Sequence, residues 1–428
     1  MKGIWLFVML LLVACGRDKV AQVSGRVDGE DSVVTFVVES RPHVFKRDSK
    51  GYFGGEIPLE KSVYAFMRPG YCYVFLSPGE DLEINLNSNV GPTLEYKGTL
   101  GAINNYLRDQ WREQRFDFSL YAEEEEMFVR DVNNMINRQV LLLEAKNLGK
   151  EFTRLERERI RYQYAEQASY YPRFHCVDTA DYRPGPVFDD FMLSFPINND
   201  ELMEFQSFRS FVLNYIYYRG RNLDARRLVN YIVQSVQNEK VRAYLLSEVA
   251  YRHFREKGLE DADYILPVCR QMIKDSVQLA RVARIVDKWR RLSAGVTAPD
   301  VALQAGDKAF RLRDFKGSYL YICVWNPWDS LWRQKENEWN ELVAANRGKN
   351  IRFLTFCMGR QEQADFEAFM ADVEGEHFMV SDPLRFSQDY MINITPRYLL
   401  IDPTGKIINA NEETPSGAMK LLLKKIDL

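Results

Sequence analysis

The sequence predicts a multidomain chain: an N-terminal antiparallel β-sandwich-like domain, a central all-α region and a C-terminal α/β domain. Three observations carry this. From about Val20 to Gly98, β-branched and aromatic bursts alternate with turns rich in Gly and Asp. From about Ala102 to Leu292, apolar residues recur at three- and four-residue steps. From Ala294 onward, short apolar runs alternate with helical stretches. A length of 428 residues is too great for one compact core, and 46% hydrophobic with 27% charged residues is a globular composition. Lys+Arg 57 against Asp+Glu 60 leaves a formal net charge of -3, so no bulk attraction to nucleic acid is expected.

The first residues set the expected compartment. Lys2 supplies a positive start, and Ile4 to Val13 is an apolar run too short to span a bilayer permanently. It ends in Leu12-Val13-Ala14-Cys15, which resembles the lipobox of bacterial lipoproteins. The resemblance implies that residues 1–14 are a signal peptide and that the Cys15 thiol is acylated. The membrane is then a partner through a lipid anchor on Cys15. The expected location is the cell envelope, on the inner or outer membrane, facing the periplasm. The alternative is an ordinary secretory signal with an incidental cysteine.

Residues 15–98 are expected to form the β-domain. Val33, Val34, Phe36, Val37 and Val38 follow the turn Asp28-Gly29, and Asp48-Ser49-Lys50-Gly51 precedes Tyr52 and Phe53. Tyr71 to Leu76 reads as a strand stopped by Ser77-Pro78-Gly79. Leu82, Ile84 and Leu86 alternate with polar residues, the period of a half-buried strand.

Residues 99–292 are expected to be helical. Leu107, Trp111, Phe128, Val132, Met135, Ile136, Val140 and Leu143 keep the helical step. Glu123 to Glu126 read as an acidic first turn, favoured by the helix dipole. Glu156-Arg157-Glu158-Arg159 reads as a solvated, ion-paired face. Tyr182-Arg183-Pro184-Gly185-Pro186 splits the region. Phe205, Phe208, Phe211, Val212, Tyr215 and Ile216 then form an aromatic stripe, which reads as core or as a small-molecule site.

Residues 293–428 alternate strand and helix: strands over Tyr319–Trp325, Ile351–Met358, Tyr398–Ile401 and Lys406–Ala410, with helices over Ser330–Asn346, Gln363–Val373 and Ser416–Ile426. Tyr319 to Trp325 is apolar on both faces, as a central strand requires. Asp402-Pro403-Thr404-Gly405 predicts a tight turn joining the last two strands.

A family resemblance appears here. Ala298-Pro299-Asp300-Val301-Ala302-Leu303 and Phe310-Arg311-Leu312-Arg313-Asp314-Phe315-Lys316-Gly317 resemble the opening of membrane-anchored thioredoxin-like domains of the TlpA type. In that family a W-x-x-W-C-x-x-C-R site follows the central strand. Here the stretch is Trp325-Asn326-Pro327-Trp328-Asp329-Ser330-Leu331-Trp332-Arg333. Asp329 stands at the attacking-cysteine position and Trp332 at the resolving one. Ile394-Thr395-Pro396 matches the family's cis-proline loop. The whole resembles a Bacteroidetes-type lipoprotein with a C-terminal TlpA-like thioredoxin domain that lacks both redox cysteines.

The resemblance implies a thioredoxin-like fold over 293–428 and a degenerate redox site. Thiol–disulfide exchange needs an attacking thiolate and a resolving thiol, and neither Asp329 nor Trp332 supplies one. The implied role is a protein- or peptide-binding or scaffold module, with Trp328, Trp332, Thr395 and Pro396 as candidate peptide-binding residues. The alternative is a residual thiol–disulfide oxidoreductase, which requires one of the five other cysteines, Cys323 and Cys357 among them, to reach the groove. Each candidate has a plainer reading. Asp329 can be a helix N-cap worth about 1 kcal/mol, Trp328 and Trp332 can plug the groove, and Pro396 can serve the fold alone. Cys72, Cys176, Cys269, Cys323 and Cys357 form no Cys-x-x-Cys, and His43, His175, His253 and His377 are scattered singly. No phosphate loop, catalytic triad, metal or cofactor is expected.

Overall fold

The computed structural model describes residues 19–29, 32–39, 41–87, 93–113, 116–175, 182–328, 330–359, 363–415 and 423. Contacts divide the chain into two compact units between Arg221 and Asn222. The division falls within the helical stretch.

In the first unit eight strands form two four-stranded sheets: β1 (Val20–Val27), β2 (Val33–Val38), β3 (Arg41–Lys46), β4 (Tyr52–Pro58), β5 (Val63–Arg68), β6 (Cys72–Leu76), β7 (Asp81–Asn87) and β8 (Thr93–Lys97). One sheet runs β4-β1-β7-β8 and the other β3-β2-β5-β6. Their inner faces meet at Phe36 and Phe53, whose ring centroids are 6.2 Å apart. The expected antiparallel β-sandwich-like arrangement is corrected at one pairing. β1 and β7 are parallel, with Val23 opposite Leu82, because β1 opens the domain and β7 returns beside it after the second sheet has been built. Gly25 permits this, since a Cβ there would fall 1.9 Å from the Ile84 carbonyl oxygen.

The helices of this unit are α1 (Gly101–Glu113), α2 (Glu125–Glu144), α3 (Lys150–Ala168), α4 (Tyr171–Phe174), α5 (Pro186–Leu193) and α6 (Gln206–Arg219). Two sequence readings change here. Glu125 lies in the first turn of α2, but its carboxylate accepts from the Gly185 and Phe188 N–H groups and so caps α5 as well. Glu156 is not on a solvated face. It is fully buried, held by Arg159 Nε and Nη2 at 2.7 Å each and by the Tyr64 hydroxyl at 2.7 Å. A buried carboxylate requires such pairing; the i,i+3 spacing was legible, whereas the sheet residue that covers it was not. The stripe from Phe205 to Ile216 is core: Phe208, Phe211, Val212 and Ile216 are fully buried.

The second unit begins with α7 (Ala225–Ser235), α8 (Glu239–Lys257), α9 (Ala262–Met272) and α10 (Ser276–Arg290). A seven-stranded sheet follows, built from β9 (Ala302–Ala305), β10 (Lys308–Arg311), β11 (Tyr319–Trp325), β12 (Ile351–Cys357), β13 (Glu376–Val380), β14 (Arg397–Ile401) and β15 (Ile407–Glu412), in the order β10-β9-β13-β12-β11-β14-β15. β11, β12 and β13 are parallel, and β14 runs antiparallel to β11. The helices α11 (Ser330–Ala345), α12 (Gln363–Met370) and α13 (Pro383–Asp389) connect them. The β14–β15 turn forms as its sequence demands: Asp402 Oδ1 accepts from Thr404 N and Lys406 N at 2.8 and 2.9 Å, and Gly405 takes φ +83°. The helix expected over Ser416–Ile426 lies outside the described residues, apart from buried Leu423.

One face of the sheet packs Tyr321, Cys323 and Trp325 beneath Trp332 and Trp339 of α11 and Phe366 and Met370 of α12. Among the described residues no helix is long and apolar enough to cross a membrane.

Candidate functional site

The candidate site lies where β11 delivers the chain to α11. The strand ends at Trp325, Asn326-Pro327-Trp328 turns outward, and α11 starts at Ser330. Asn326 Nδ2 donates to Thr395 Oγ1 at 3.1 Å, which joins this turn to the loop before β14. The Thr395–Pro396 peptide is cis. Gly359, beyond β12, forms the floor: a Cβ there would fall 2.4 Å from Pro327 Cδ and 3.4 Å from the Trp328 ring.

Of the sequence-derived candidates, the structure brings Trp328, Thr395 and Pro396 to this end of the sheet. Trp328 is 76% exposed, with Leu331 at 53% and Ile394 at 49%. Trp332 is different and its peptide-anchor reading is corrected. It is fully buried, stacked on Trp325 at 6.1 Å and edge-on to Trp339 at 5.7 Å. A residue in the first turn of a helix leans back toward the helix start, and the strand and α12 close over it there. Among the described residues its indole N–H and that of Trp325 have no hydrogen-bond partner. Asp329 and Cys15 lie outside the described residues, as does Cys176.

Arg333 keeps its place in the motif but is already engaged. It donates to Glu336 at 2.8 Å and to the Phe369 carbonyl at 3.3 Å, and its guanidinium lies 3.5 Å from the Phe369 ring centroid. Trp325 also stacks on the Phe369 ring, with centroids 4.8 Å apart.

The thiols near the site are sealed. Cys323 and Cys357 are fully buried, and burial pushes the Cys357 thiol up to about 11. They sit on adjacent strands but out of step, Cys323 opposite Thr355 and Cys357 opposite Trp325. Among the described residues no group of three His, Cys, Asp or Glu side chains is placed to hold a metal.

Sequence reasoning missed Asn326, Gly359, Leu331 and Ile394. Asn326, Leu331 and Ile394 lay inside the quoted motifs without a role; Gly359 gave no local signal. It also missed Arg397, directly after Pro396. This arginine is buried, donates to the Ala410 carbonyl at 3.3 Å and lies 5.3 Å from the Trp289 ring. Burial lowers its guanidinium to about 10.

No family model and no curated protein matches the chain. Among solved structures, the chain is similar to the thioredoxin domain of a thiol-disulfide oxidoreductase from Bacteroides vulgatus, with 22% identity over 31% of this chain and 96% of that one, TM-score 0.29. It is similar to a thiol:disulfide interchange protein from Bacteroides sp., with 22% identity over 32% and 90%, TM-score 0.29. A thioredoxin-like protein from Bacteroides caccae matches at 13% identity over 62% and 94%, TM-score 0.39.

Proposed function

We propose that this chain is a lipid-anchored cell-envelope protein whose residues 293–428 form a thioredoxin-like domain without redox chemistry, acting as a protein- or peptide-binding module. By element type the mature chain then divides into a β-domain over 15–98, a helical region over 99–292 and the thioredoxin-like domain. The observation that carries the reading is Trp332: a fully buried indole fills the position of the resolving cysteine. Disulfide exchange needs an accessible thiolate and a second thiol to release the mixed disulfide. The nearest thiols are buried, and one is held protonated at neutral pH. What this end of the sheet does offer is an exposed indole, two exposed aliphatic side chains and a cis-proline loop with main-chain groups suited to an extended peptide.

Two measurements test this. In an insulin-reduction assay with dithiothreitol the protein should give no rate above background. Turnover that disappears in Cys323→Ser or Cys357→Ser would overturn the reading in favour of a thiol–disulfide oxidoreductase. A partner crosslinked from intact membranes should bind Trp328→Ala about thirtyfold more weakly, the cost of truncating an interface-centre tryptophan. Unchanged affinity removes this groove as the contact surface.

A further inference from the structure

The first unit carries an open sheet edge that the thioredoxin-like site does not use. β6 is the edge strand of the sheet β3-β2-β5-β6. Its Phe75 main chain turns outward and is satisfied by a side chain: Phe75 N donates to Asn104 Oδ1 at 2.7 Å, and Asn104 Nδ2 donates to Phe75 O at 3.0 Å. Buried Asn104 of α1 thus stands in for a neighbouring strand at that residue. In an antiparallel pair alternate residues turn their N–H and C=O the same way. Tyr73, two residues earlier and opposite Phe66, therefore also turns both groups outward, and among the described residues neither makes a hydrogen bond.

The side chains around this opening are specific in kind. Tyr73 is 37% exposed and Tyr71 68%. The Phe66 ring lies 5.3 Å from Tyr73 and 6.4 Å from Tyr71. The Arg68 guanidinium lies 5.6 Å from the Phe66 ring and 6.0 Å from the Tyr71 ring, and among the described residues no carboxylate pairs with it. By register, the outward positions of the four strands include Arg68 and Lys46 and no acidic residue. The other half of the face is already covered, Phe152 lying 5.0 Å from Phe75 and 6.4 Å from Tyr64. Soluble proteins usually blunt such an edge with proline or a charge on the strand itself; Cys72-Tyr73-Val74 has neither.

We propose that this edge docks a short acidic peptide segment of another protein by strand addition. The segment pairs its main chain with Tyr73 N–H and C=O, lays an apolar side chain on Phe66 and Tyr73, and places a carboxylate on Arg68. The unpaired part of the edge is one ladder pair long, so the segment is about three or four residues. The charge of the platform selects an acidic partner, and the paired main-chain groups select a peptide over a lipid or a polysaccharide.

The test uses the full chain in detergent and a fluorescein-labelled random copolymer of glutamate and tyrosine. Saturable binding is expected, absent with a lysine–tyrosine copolymer. Arg68→Gln and Tyr73→Pro should each weaken it roughly tenfold, the loss of one charge-assisted or main-chain hydrogen bond with its packing. In the wild type the copolymer should also slow hydrogen exchange at the Tyr73 amide, a readout that holds even if the proline variant folds poorly. Absence of binding, unchanged affinity in Arg68→Gln, or unaltered exchange at Tyr73 would overturn the proposal. So would preferential binding of phosphatidylglycerol vesicles or heparin, which would reassign the platform to a lipid or a polyanionic sugar.

Discussion

Truncating Trp332 should damage the fold, whereas truncating Trp328 should not. Removing a fully buried tryptophan from a core costs about 3–5 kcal/mol. Trp332 is stacked on Trp325 and edge-on to Trp339, so the upper part of that range applies to its packing. Against this, its indole N–H is buried without an acceptor among the described residues, a defect of about 1–3 kcal/mol that truncation removes. The net expectation for Trp332→Ala is a loss of about 2–4 kcal/mol. Trp332→Phe keeps most of the stack and discards the unpaired donor, so it should fall within about 1 kcal/mol of wild type. Trp328, at 76% exposure, should cost about 0.5 kcal/mol or less. The assay is native-state hydrogen exchange of β11, β12 and β14, which reports this unit without assuming that the whole chain unfolds in one step. Equal protection in Trp332→Ala and Trp328→Ala would refute the plug. A phenylalanine variant as damaged as the alanine one would refute the account of the orphan N–H.

Two further outcomes follow from the sequence and the site. Cys15→Ala should leave the precursor unacylated; equal incorporation of radiolabelled palmitate in wild type and variant would remove the lipid anchor from the proposal. His377 donates from Nε2 to the Val373 carbonyl at 2.8 Å and accepts at Nδ1 from Thr355 Oγ1 at 3.0 Å, and burial lowers its pKa below the ordinary 6.5 despite the Val373 bond. The unfolded chain therefore takes up this proton first as pH falls, so the stability His377 contributes is complete above pH 6.5 and declines below it. In β12 and β13, His377→Gln should flatten the loss of exchange protection between about pH 6.5 and 5; an unchanged slope would show that another group governs it.

The sequence and the structure agree where a single element decides the answer. The central strand was legible because seven consecutive apolar residues can only be buried on both faces. The last turn was legible because Asp402 and Gly405 each have one favourable place in it. What escaped was set by distant partners. β9 and β10 are four-residue strands that pair with each other and, through β9, with β13; none has enough local pattern to announce itself. The role of Trp332 was left open between plug and anchor because a tryptophan in the first turn of a helix serves both. Only the closeness of Trp325 and Trp339 decides it.

The same logic explains why the division between the two units falls inside the helical stretch. Periodicity is alike on both sides of Arg221, so nothing local marks a boundary there. The second unit gathers its helices through particular contacts instead. Asn411 of β15 donates to the Glu256 carbonyl at the end of α8 at 3.2 Å. Trp289 of α10 lies over Arg397, the residue that follows Pro396. A buried guanidinium without a carboxylate is costly, and here a carbonyl and an aromatic face offset part of that cost. Arg397 thereby fixes the strand end that carries the cis-proline loop. The strand end after the cis-proline is held in part by a helix that sequence grammar assigns to a different region. A truncation at residue 292 would keep every residue of the motif while uncovering the cation behind it, so the groove is best studied in the full chain.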